Sequence, residues 1–362
     1  MVIHLVIGDK DESYLDKLQS YFEKNYYAEI ETVVFTDPGF LLQYMQDNEI
    51  DVLLVDEEFG DITQFRRETG FAVLAGNDAV RSDGLRTILK FKKPSLLYKD
   101  VINIYSGRPD AEQSSFGKST GAAESSHKTR VHCFMSFSGG TGVSVISAAA
   151  AKHFAKTGSV FYLNLDGFSS STLFFKGEGS YGFDDILYAL KGDAGSLELK
   201  LKSSVRKDRS GVEFLTPVSQ PAYMLELTNE DISTLVRTLK SMDVYDRIVV
   251  DYGFRLDSSY RKIFATLDLA DTITIVSDGS MTANDKFMRT MQTIEVLDSE
   301  DKKSVLRKMG LLYNNFSSSE SSSKMDRPGM REIGTIIPIH HADSKVVMSY
   351  IADKFGSCFR SL

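Results

Sequence analysis

Short apolar runs alternate with segments of helical spacing along residues 1–105. The runs at residues 2–7, 32–35, 50–55, 71–74 and 87–91 predict five buried strands. Between the first two runs, Leu15, Leu18 and Phe22 recur at the spacing of one helix face. Because strands that alternate with helices favour a parallel sheet covered on both faces, we expect a doubly wound α/β domain here.

The same alternation returns in residues 130–362. Predicted strands lie at residues 131–137, 159–165, 211–215, 246–250, 272–276, 310–313 and 333–337. Helical patterns at residues 144–156 and 229–242 separate some of these strands, and Thr228 with Asp231 is typical of a helix N-terminus. The chain therefore predicts a second doubly wound parallel-sheet domain.

The segment between the two patterns, residues 106–129, is rich in Ser, Gly and Ala and has one large apolar side chain, Phe116. Such a segment buries too little apolar surface to offset the entropy of ordering it, so we predict a flexible linker. The predicted division is a domain at residues 1–105, the linker at 106–129, and a domain at 130–362.

Composition narrows the class of protein. The chain has 362 residues and a net charge of −8, which disfavours a general nucleic-acid binder, so no nucleic-acid partner is expected. It has two cysteines, Cys133 and Cys358, and no apolar stretch of the roughly 18 residues that a membrane span requires. The first apolar run is short and soon becomes acidic, unlike a signal peptide. These features predict a protein of the reducing cytoplasm.

The strongest chemical signal is the glycine-rich turn between the strand at 131–137 and the helix at 144–156. Glycines permit tight turns, and loop N–H groups together with a helix N-terminus bind anions. Phosphate-binding loops usually carry a Lys immediately before the Ser or Thr that ends the loop, whereas this chain has Val143 there. The candidate nucleotide-binding residues of the turn are Gly139, Gly140, Thr141, Gly142, Val143 and Ser144.

Carboxylates follow two of the later strands. Asp166 comes after the strand at 159–165, and Asp251 after the strand at 246–250. A loop serine can bind Mg²⁺ through its hydroxyl, and a strand-end Asp can hold that ion through water or orient an attacking water. The candidate metal site is therefore Ser144, Asp166 and Asp251, although each Asp alone could equally be a helix cap or a loop carboxylate.

Residues 130–362 resemble the MinD/ParA family of deviant-Walker ATPases, whose loop pattern is K-G-G-x-G-K-[ST]. The three glycines and Ser144 match this pattern, whereas both lysines are absent, replaced by Ser138 and Val143. The resemblance implies ATP and Mg²⁺ as cofactors. Without the lysines, hydrolysis is expected to be slight or absent, since this catalysis depends on positioning and electrostatics.

The resemblance extends to later elements. Asp166 matches the family's catalytic switch Asp, and Asp251 matches its Walker B Asp, so both are expected to be vestigial catalytic residues. The family usually has a Pro two residues after the second Asp, where this chain has Gly253. Asn315 and Pro338 fall where the family contacts adenine.

Residues 1–105 resemble the receiver domain of response regulators. Asp9, Asp56 and Lys93 match its magnesium-binding acid, its phosphate-accepting Asp and its conserved Lys, and would meet at the carboxyl ends of the strands. Gly8 occupies the usual place of another acid, and Ala75 or Gly76 replaces the switch hydroxyl. We therefore expect an atypical receiver-like interaction domain; phosphorylation at Asp56 is the alternative.

The two parts together resemble the TadZ/CpaE family. The implied fold is a flavodoxin/receiver-like N-terminal domain followed by a P-loop MinD/ParA-like C-terminal domain. The implied function is localisation of the tight-adherence (Flp-type) pilus machinery, as a homodimer in the cytoplasm, at a cell pole or at the inner face of the membrane, with proteins of the pilus secretion machinery as partners.

Three alternatives remain open from the sequence. One is an active MinD/ParA-type ATPase switch, and another is a response regulator that signals through Asp56. In the third, the amphipathic stretch at residues 345–362 binds a membrane. Because the polar face of that stretch is only weakly basic, we expect it to dock on its own domain and membrane contact to be at most peripheral.

Overall fold

The computed structural model describes residues 2–67, 69–76, 84–108, 129–192, 197–253, 267–296, 302–318, 322–325 and 329–362. The chain divides into two units, the first from residues 1–125 and 191–204, the second from residues 126–190 and 205–362. Most of the predicted linker, residues 109–128, lies outside the described residues.

The first unit is built on a five-stranded parallel sheet. Its strands, which pair in the order β2-β1-β3-β4-β5, are β1 (Ile3–Gly8), β2 (Ile30–Phe35), β3 (Val52–Asp56), β4 (Phe71–Ala75) and β5 (Thr87–Leu89). Its first three helices are α1 (Glu12–Tyr26), α2 (Pro38–Asp47) and α3 (Pro94–Ser106). The five predicted strands and the doubly wound order are confirmed.

Alternate side chains of these strands enter separate cores. Leu54 packs in the cluster that α1 and α3 cover, whereas its neighbours Leu53 and Val55 pack in the cluster beneath α2. The side chain of Asp11 caps α1 by accepting from the Tyr14 backbone N–H at 3.0 Å. Burial on both faces explains why the strands read as continuous apolar runs in the sequence.

The first unit also contains a segment that the sequence predicted to lie in the second domain. Helix α7 (Leu197–Ser204) packs along α3, and buried Leu199 joins the core cluster of the first unit. Asn103 Nδ2 donates to Ser203 Oγ at 3.5 Å, and Lys202 Nζ lies 3.8 Å from Glu29 Oε1. The sequence assigned all of residues 130–362 to the second domain, whereas the structure groups residues 191–204 with the first unit, because α7 packs on α3.

The second unit is built on an eight-stranded sheet, parallel except for the β8–β9 pair. Its strands, in the order β13-β12-β11-β6-β10-β7-β9-β8, are β6 (Arg130–Met135), β7 (Val160–Asn164), β8 (Arg206–Lys207), β9 (Val212–Phe214), β10 (Arg247–Asp251), β11 (Thr272–Ser277), β12 (Met309–Tyr313) and β13 (Arg331–Thr335). The predicted second parallel α/β sheet is thus confirmed.

Seven described helices accompany this sheet. They are α4 (Val143–Phe154), α5 (Ser171–Phe174), α6 (Phe183–Lys191), α8 (Asn229–Ser241), α9 (Met281–Val296), α10 (Lys302–Lys308) and α11 (Ser344–Lys354). Thr228 and Asp231 form the predicted capping box at the start of α8. Helix α4 lies over the centre of the sheet, where its alanines are buried.

The C-terminal helix α11 packs against α4. Met348 and Ile351 are buried in the core that α4 shares, and Lys152 Nζ donates to Ser349 Oγ at 2.8 Å. The prediction that this stretch docks on its own domain is confirmed. Among the described residues, no helix is long and apolar enough to cross a membrane.

Candidate functional site

The glycine-rich turn has the backbone of a phosphate-binding loop. It connects β6 to α4, and Gly140 and Gly142 have φ values of +80° and +83°, which favour glycine. A Cβ on Gly139 or Gly140 would meet no atom within 4 Å, so the outer side of the loop is open. The first turn of α4 follows directly, and its N–H groups lack helical partners. This arrangement can bind an anion.

Val143, the residue in the place of the lysine, begins α4. Its side chain is partly buried and packs against the core of the second unit. Lys152, about two turns further along α4, donates a hydrogen bond to Ser349 of α11. The turn therefore retains the backbone donors of a phosphate loop, while an apolar contact with the core replaces the usual cation.

Asp251 ends β10 and is almost fully buried. Its Oδ2 accepts hydrogen bonds from Tyr162 Oη at 3.0 Å and from Asn164 Nδ2 at 2.9 Å. Burial raises the pKa of Asp251 to about 6, whereas hydrogen bonds from Ser144 and Tyr162 act to lower that pKa. The predicted pair of Ser144 and Asp251 is thus brought together at the carboxyl ends of β6 and β10.

Asp166 lies beside this pair. Its backbone N–H donates to Asn164 Oδ1 at 2.9 Å, and its Oδ1 accepts from the Phe168 N–H at 3.2 Å. The negative charge of Asp166 contributes to the raised pKa of Asp251. A Cβ on Gly253 would lie 3.7 Å from Asp166 Oδ1, so the loops after β7 and β10 adjoin.

Tyr162 and Asn164 were missed by the sequence reasoning. Both lie on β7, where Asn164 pairs in register with Asp251, and Tyr162 is fully buried. A Tyr and an Asn at alternate positions of an otherwise apolar strand were the available signal, since buried polar side chains require partners.

The donor set fits a nucleotide-bound magnesium ion better than a metal site made of protein alone. No group of three or more His, Cys, Asp or Glu side chains among the described residues could hold a metal ion. Mg²⁺ is usually held by one or two carboxylates together with substrate phosphates. Ser144 and Asp251 can supply the protein share, and the buried Thr141 Oγ1, which has no hydrogen-bond partner, lies in the same turn.

One of the two asparagines after β12 supports the turn. Asn314 Nδ2 donates to the Thr141 carbonyl at 2.9 Å, and a Cβ on Gly142 would come within 2.5 Å of that nitrogen. Asn314 is therefore the residue of this region that contacts the turn. Asn315, with φ +54°, and the half-buried Pro338 follow β12 and β13, and their contact with adenine remains a prediction.

The receiver-like pocket of the first unit holds a buried ion-pair cluster. Lys90 Nζ lies 2.6 Å from Asp9 Oδ2 and 2.9 Å from Asp56 Oδ2, and all three residues are buried. Although desolvation acts to lower the pKa of Lys90, hydrogen bonds and charges from Asp9 and Asp56 raise it. The cluster therefore pairs two carboxylates with one ammonium group.

The lysine of this cluster corrects the sequence prediction, which named Lys93. Strand β5 ends at Leu89, two residues earlier than predicted, so Lys90 is the residue that enters the pocket. Lys93 is instead the N-cap residue of α3, immediately before Pro94. Asp9 and Asp56 lie where they were predicted.

The missing acid of the receiver pattern has a steric explanation. A Cβ on Gly8 would lie 2.7 Å from Cε1 of Phe59, which is fully buried in the loop after β3. Ala75 ends β4, and the next residue, Gly76, donates its N–H to Glu57 Oε1 at 3.0 Å. An apolar ring thus occupies the space that a side chain at residue 8 would need.

The first unit is a five-stranded parallel α/β sheet with a buried ion-pair cluster at its strand ends, and the second unit has a glycine-rich turn between a strand and a helix. Residues 1–106 match the family model described as "TadZ-like, receiver domain". The resemblance of the first domain to that family is therefore confirmed. No curated protein matches the chain.

Solved structures similar to this chain include ParA and MinD proteins. A ParA family ATPase from Chlorobium tepidum TLS shows 17% identity and a TM-score of 0.49, covering 64% of this chain and 96% of that one. The MinC:MinD complex from Aquifex aeolicus shows 15% identity and a TM-score of 0.46, covering 64% and 93%. A Borrelia burgdorferi B31 plasmid partition protein bound to AMPPNP shows 14% identity and a TM-score of 0.40, covering 65% and 100%.

Proposed function

We propose that this protein is a cytoplasmic localisation and scaffold protein for the assembly of tight-adherence (Flp-type) pili. The observation that carries the proposal is the match of residues 1–106 to the TadZ-like receiver domain, joined in one chain to a unit with a phosphate-binding loop. The protein acts as a homodimer with proteins of the pilus secretion machinery as partners, at a cell pole or at the inner face of the membrane. Its contact with the membrane is at most peripheral, which agrees with the packing of α11 on α4.

In this proposal the second unit binds Mg-ATP and hydrolyses it slowly or not at all. The N–H groups of the turn at residues 139–144 hold the phosphates, while Ser144 and Asp251 hold the ion. Removal of one donor that stabilises transition-state charge typically costs about 10²–10³ in rate, and Val143 provides no such donor. ATP is then a structural ligand, and Asp166 and Asp251 are vestigial as catalytic residues.

The first unit acts as an interaction domain without phosphorylation. The Lys90 ammonium already pairs with both buried carboxylates, and Phe59 takes the space beside Gly8. A phosphoryl group on Asp56 would have to break this cluster without the help of a switch hydroxyl at Ala75. The pocket thus stabilises the domain.

The nucleotide part can be tested with a pair of isosteric variants. Gly139 has open space beside its Cα, so Gly139→Gln and Gly139→Glu both fit sterically, while the second places a carboxylate among the phosphates. Calorimetry with Mg-ATP is expected to show binding for the wild type and for Gly139→Gln, and at least 10-fold weaker binding for Gly139→Glu. Equal affinities would contradict binding at this loop.

Phosphate release from the same samples over several hours distinguishes the scaffold from the ATPase switch. We expect ATP to stay intact; steady turnover that Gly139→Glu abolishes would favour an active switch. The localisation role is tested by deleting the gene in the host bacterium and counting surface pili. We expect the pili to be lost, and restored by the wild-type chain; undiminished pili in the deletion strain would overturn the role.

A further inference from the structure

The first unit contains a cavity at the end of its sheet opposite the receiver-like pocket. The cavity has a volume of about 650 Å³, and its lining includes Phe71, which begins β4, and Arg86, which precedes β5. Asp9, Asp56 and Lys90 lie at the carboxyl ends of the same sheet. Because the strands are parallel, the two places are separate, and neither the receiver resemblance nor the proposed function uses this cavity.

The described part of the cavity lining carries three arginines. Arg66, Arg67 and Arg86 line it, and none of the described lining residues is acidic. Burial and the nearby positive charge of Arg108 lower the pKa of Arg67, whereas the negative charge of Asp51 acts to raise it. In a chain of net charge −8, such a concentration of positive charge favours an anionic ligand.

Two of the arginines are held in place by the fold. Arg67 Nη1 donates to the Ile50 carbonyl at 2.7 Å, and Arg86 Nη2 donates to Asn103 Oδ1 at 2.7 Å. A guanidinium has five N–H donors in a planar fork that matches the oxygens of phosphate or carboxylate. For Arg67, one anchoring bond leaves donors that can serve a ligand, and the anchoring reduces the entropy lost on binding.

Part of the remaining wall is apolar, and the cavity has a size that suits an organic ligand. Phe71, Leu85 and Ile104 supply apolar surface to the same cavity. Ligand pockets usually measure about 300–1,000 Å³ and combine apolar walls with a few polar groups, whereas an inorganic ion needs far less space.

We propose that this cavity binds a phosphorylated small molecule of nucleotide size. Its phosphate contacts Arg66 and Arg67, and its ring packs against Phe71, Leu85 and Ile104. The site is independent of the glycine-rich turn of the second unit, so the chain has two places for phosphorylated ligands, with different chemistry. An acidic peptide is the competing occupant, and the volume of the cavity, together with the apolar side chains in its lining, favours the small molecule.

The experiment uses the full chain carrying Gly139→Glu, so that the loop of the second unit is closed to phosphates. AMP is titrated by calorimetry at low salt into this protein and into the same protein with Arg66→Glu. Arg66 is exposed, so the change leaves the core intact. We expect Arg66→Glu to weaken AMP binding at least 10-fold. Arg66→Lys should weaken it less, because lysine keeps the positive charge and loses only the planar set of N–H donors.

The matched control is Arg237→Glu, which makes the same change of charge at an exposed position of α8. It should leave AMP binding unchanged. Equal effects of the two charge reversals, or no AMP binding to the parent, would overturn the proposal. The proposal would also be overturned if inorganic phosphate bound as tightly as AMP, or if an oligoglutamate peptide bound while AMP did not. If instead Mg-ATP fails to bind the wild-type loop while AMP binding depends on Arg66, only the proposed role of the loop fails.

Discussion

The hydroxyl of Tyr162 donates to Asp251 Oδ2 at 3.0 Å, deep within the sheet of the second unit. Both residues are buried, and Asn164 donates to the same oxygen. The carboxylate that the resemblance assigns to magnesium is therefore also held by two donors of the protein. The loop region thus gains rigidity from side chains that do not belong to the nucleotide motif.

Replacing Tyr162 with Phe should destabilise the protein. The substitution removes a hydrogen bond to a buried carboxylate, and bonds to charged groups contribute about 1.5–3 kcal/mol. We expect a loss of that size in the free energy of unfolding, measured in urea. Tyr223→Phe, at a half-exposed position, is the control and should change stability by less than about 0.5 kcal/mol. Equal effects would contradict the role of the hydroxyl.

His132 should make the second unit less stable as the solution becomes acidic. It is fully buried on β6, and burial lowers its pKa from 6.5 to about 4. Between pH 6.5 and pH 4 the unfolded chain binds a proton at His132 that the folded protein does not. The stability that neutral His132 contributes is therefore lost as the pH falls from 6.5 towards 4. The shift corresponds to about 3 kcal/mol. In His132→Asn, this part of the pH dependence of the free energy of unfolding should disappear.

Asp251 should have the opposite effect on the pH dependence of stability. Because burial raises its pKa from 3.8 to about 6, the folded protein retains a proton that the unfolded chain has lost in this range, and stability decreases as the pH rises from 3.8 to 6. The two effects largely cancel in the wild type. Asp251→Asn should therefore make stability rise more steeply with pH between 4 and 6, which urea titrations at several pH values can measure. An unchanged slope would contradict the raised pKa.

Replacing Lys90 with Met should strongly destabilise the first unit. The variant leaves Asp9 and Asp56 buried without their ammonium partner, a change that typically costs about 3–5 kcal/mol. Lys93→Met is the matched control and should have a clearly smaller effect. Adding Asp9→Asn and Asp56→Asn to Lys90→Met should restore part of the loss. If Lys93→Met were the more harmful variant, the pocket would be that of the sequence prediction.

Helix α7 should stabilise the first unit, although it comes after the glycine-rich turn of the second unit in the sequence. Leu199→Ala removes a buried side chain from the core beside α3, and such truncations typically cost about 2–5 kcal/mol. We expect faster amide hydrogen exchange in α3 and an earlier unfolding transition of the first unit. Leu225→Ala, at an exposed position, should leave both unchanged.

Much of the candidate site followed from local pattern. Gly139 to Ser144, Asp166 and Asp251 could be selected because a strand, a tight turn and a helix each leave a short sequence signal. The prediction of Lys93 was wrong because it followed the position of a Lys before Pro after the fifth strand, and the end of that strand is poorly marked in sequence. Strand β5 ends at Leu89, and Lys90 lies between Asp9 and Asp56. Tyr162 and Asn164 were not predicted as site residues because their partner, Asp251, lies on a strand more than 80 residues away in the sequence.

Periodicity and residue type act over a few neighbouring positions. They were therefore enough to predict two parallel α/β sheets, a glycine-rich turn between a strand and a helix, and the absence of the usual lysine from that turn. Other relationships are visible only in the folded chain: Lys90 joins Asp9 and Asp56, Tyr162 and Asn164 hold Asp251, α7 packs in the first unit, and three arginines line one cavity. Those relationships depend on which distant segments come together, and the energy of burying charged and apolar groups is set only when they do.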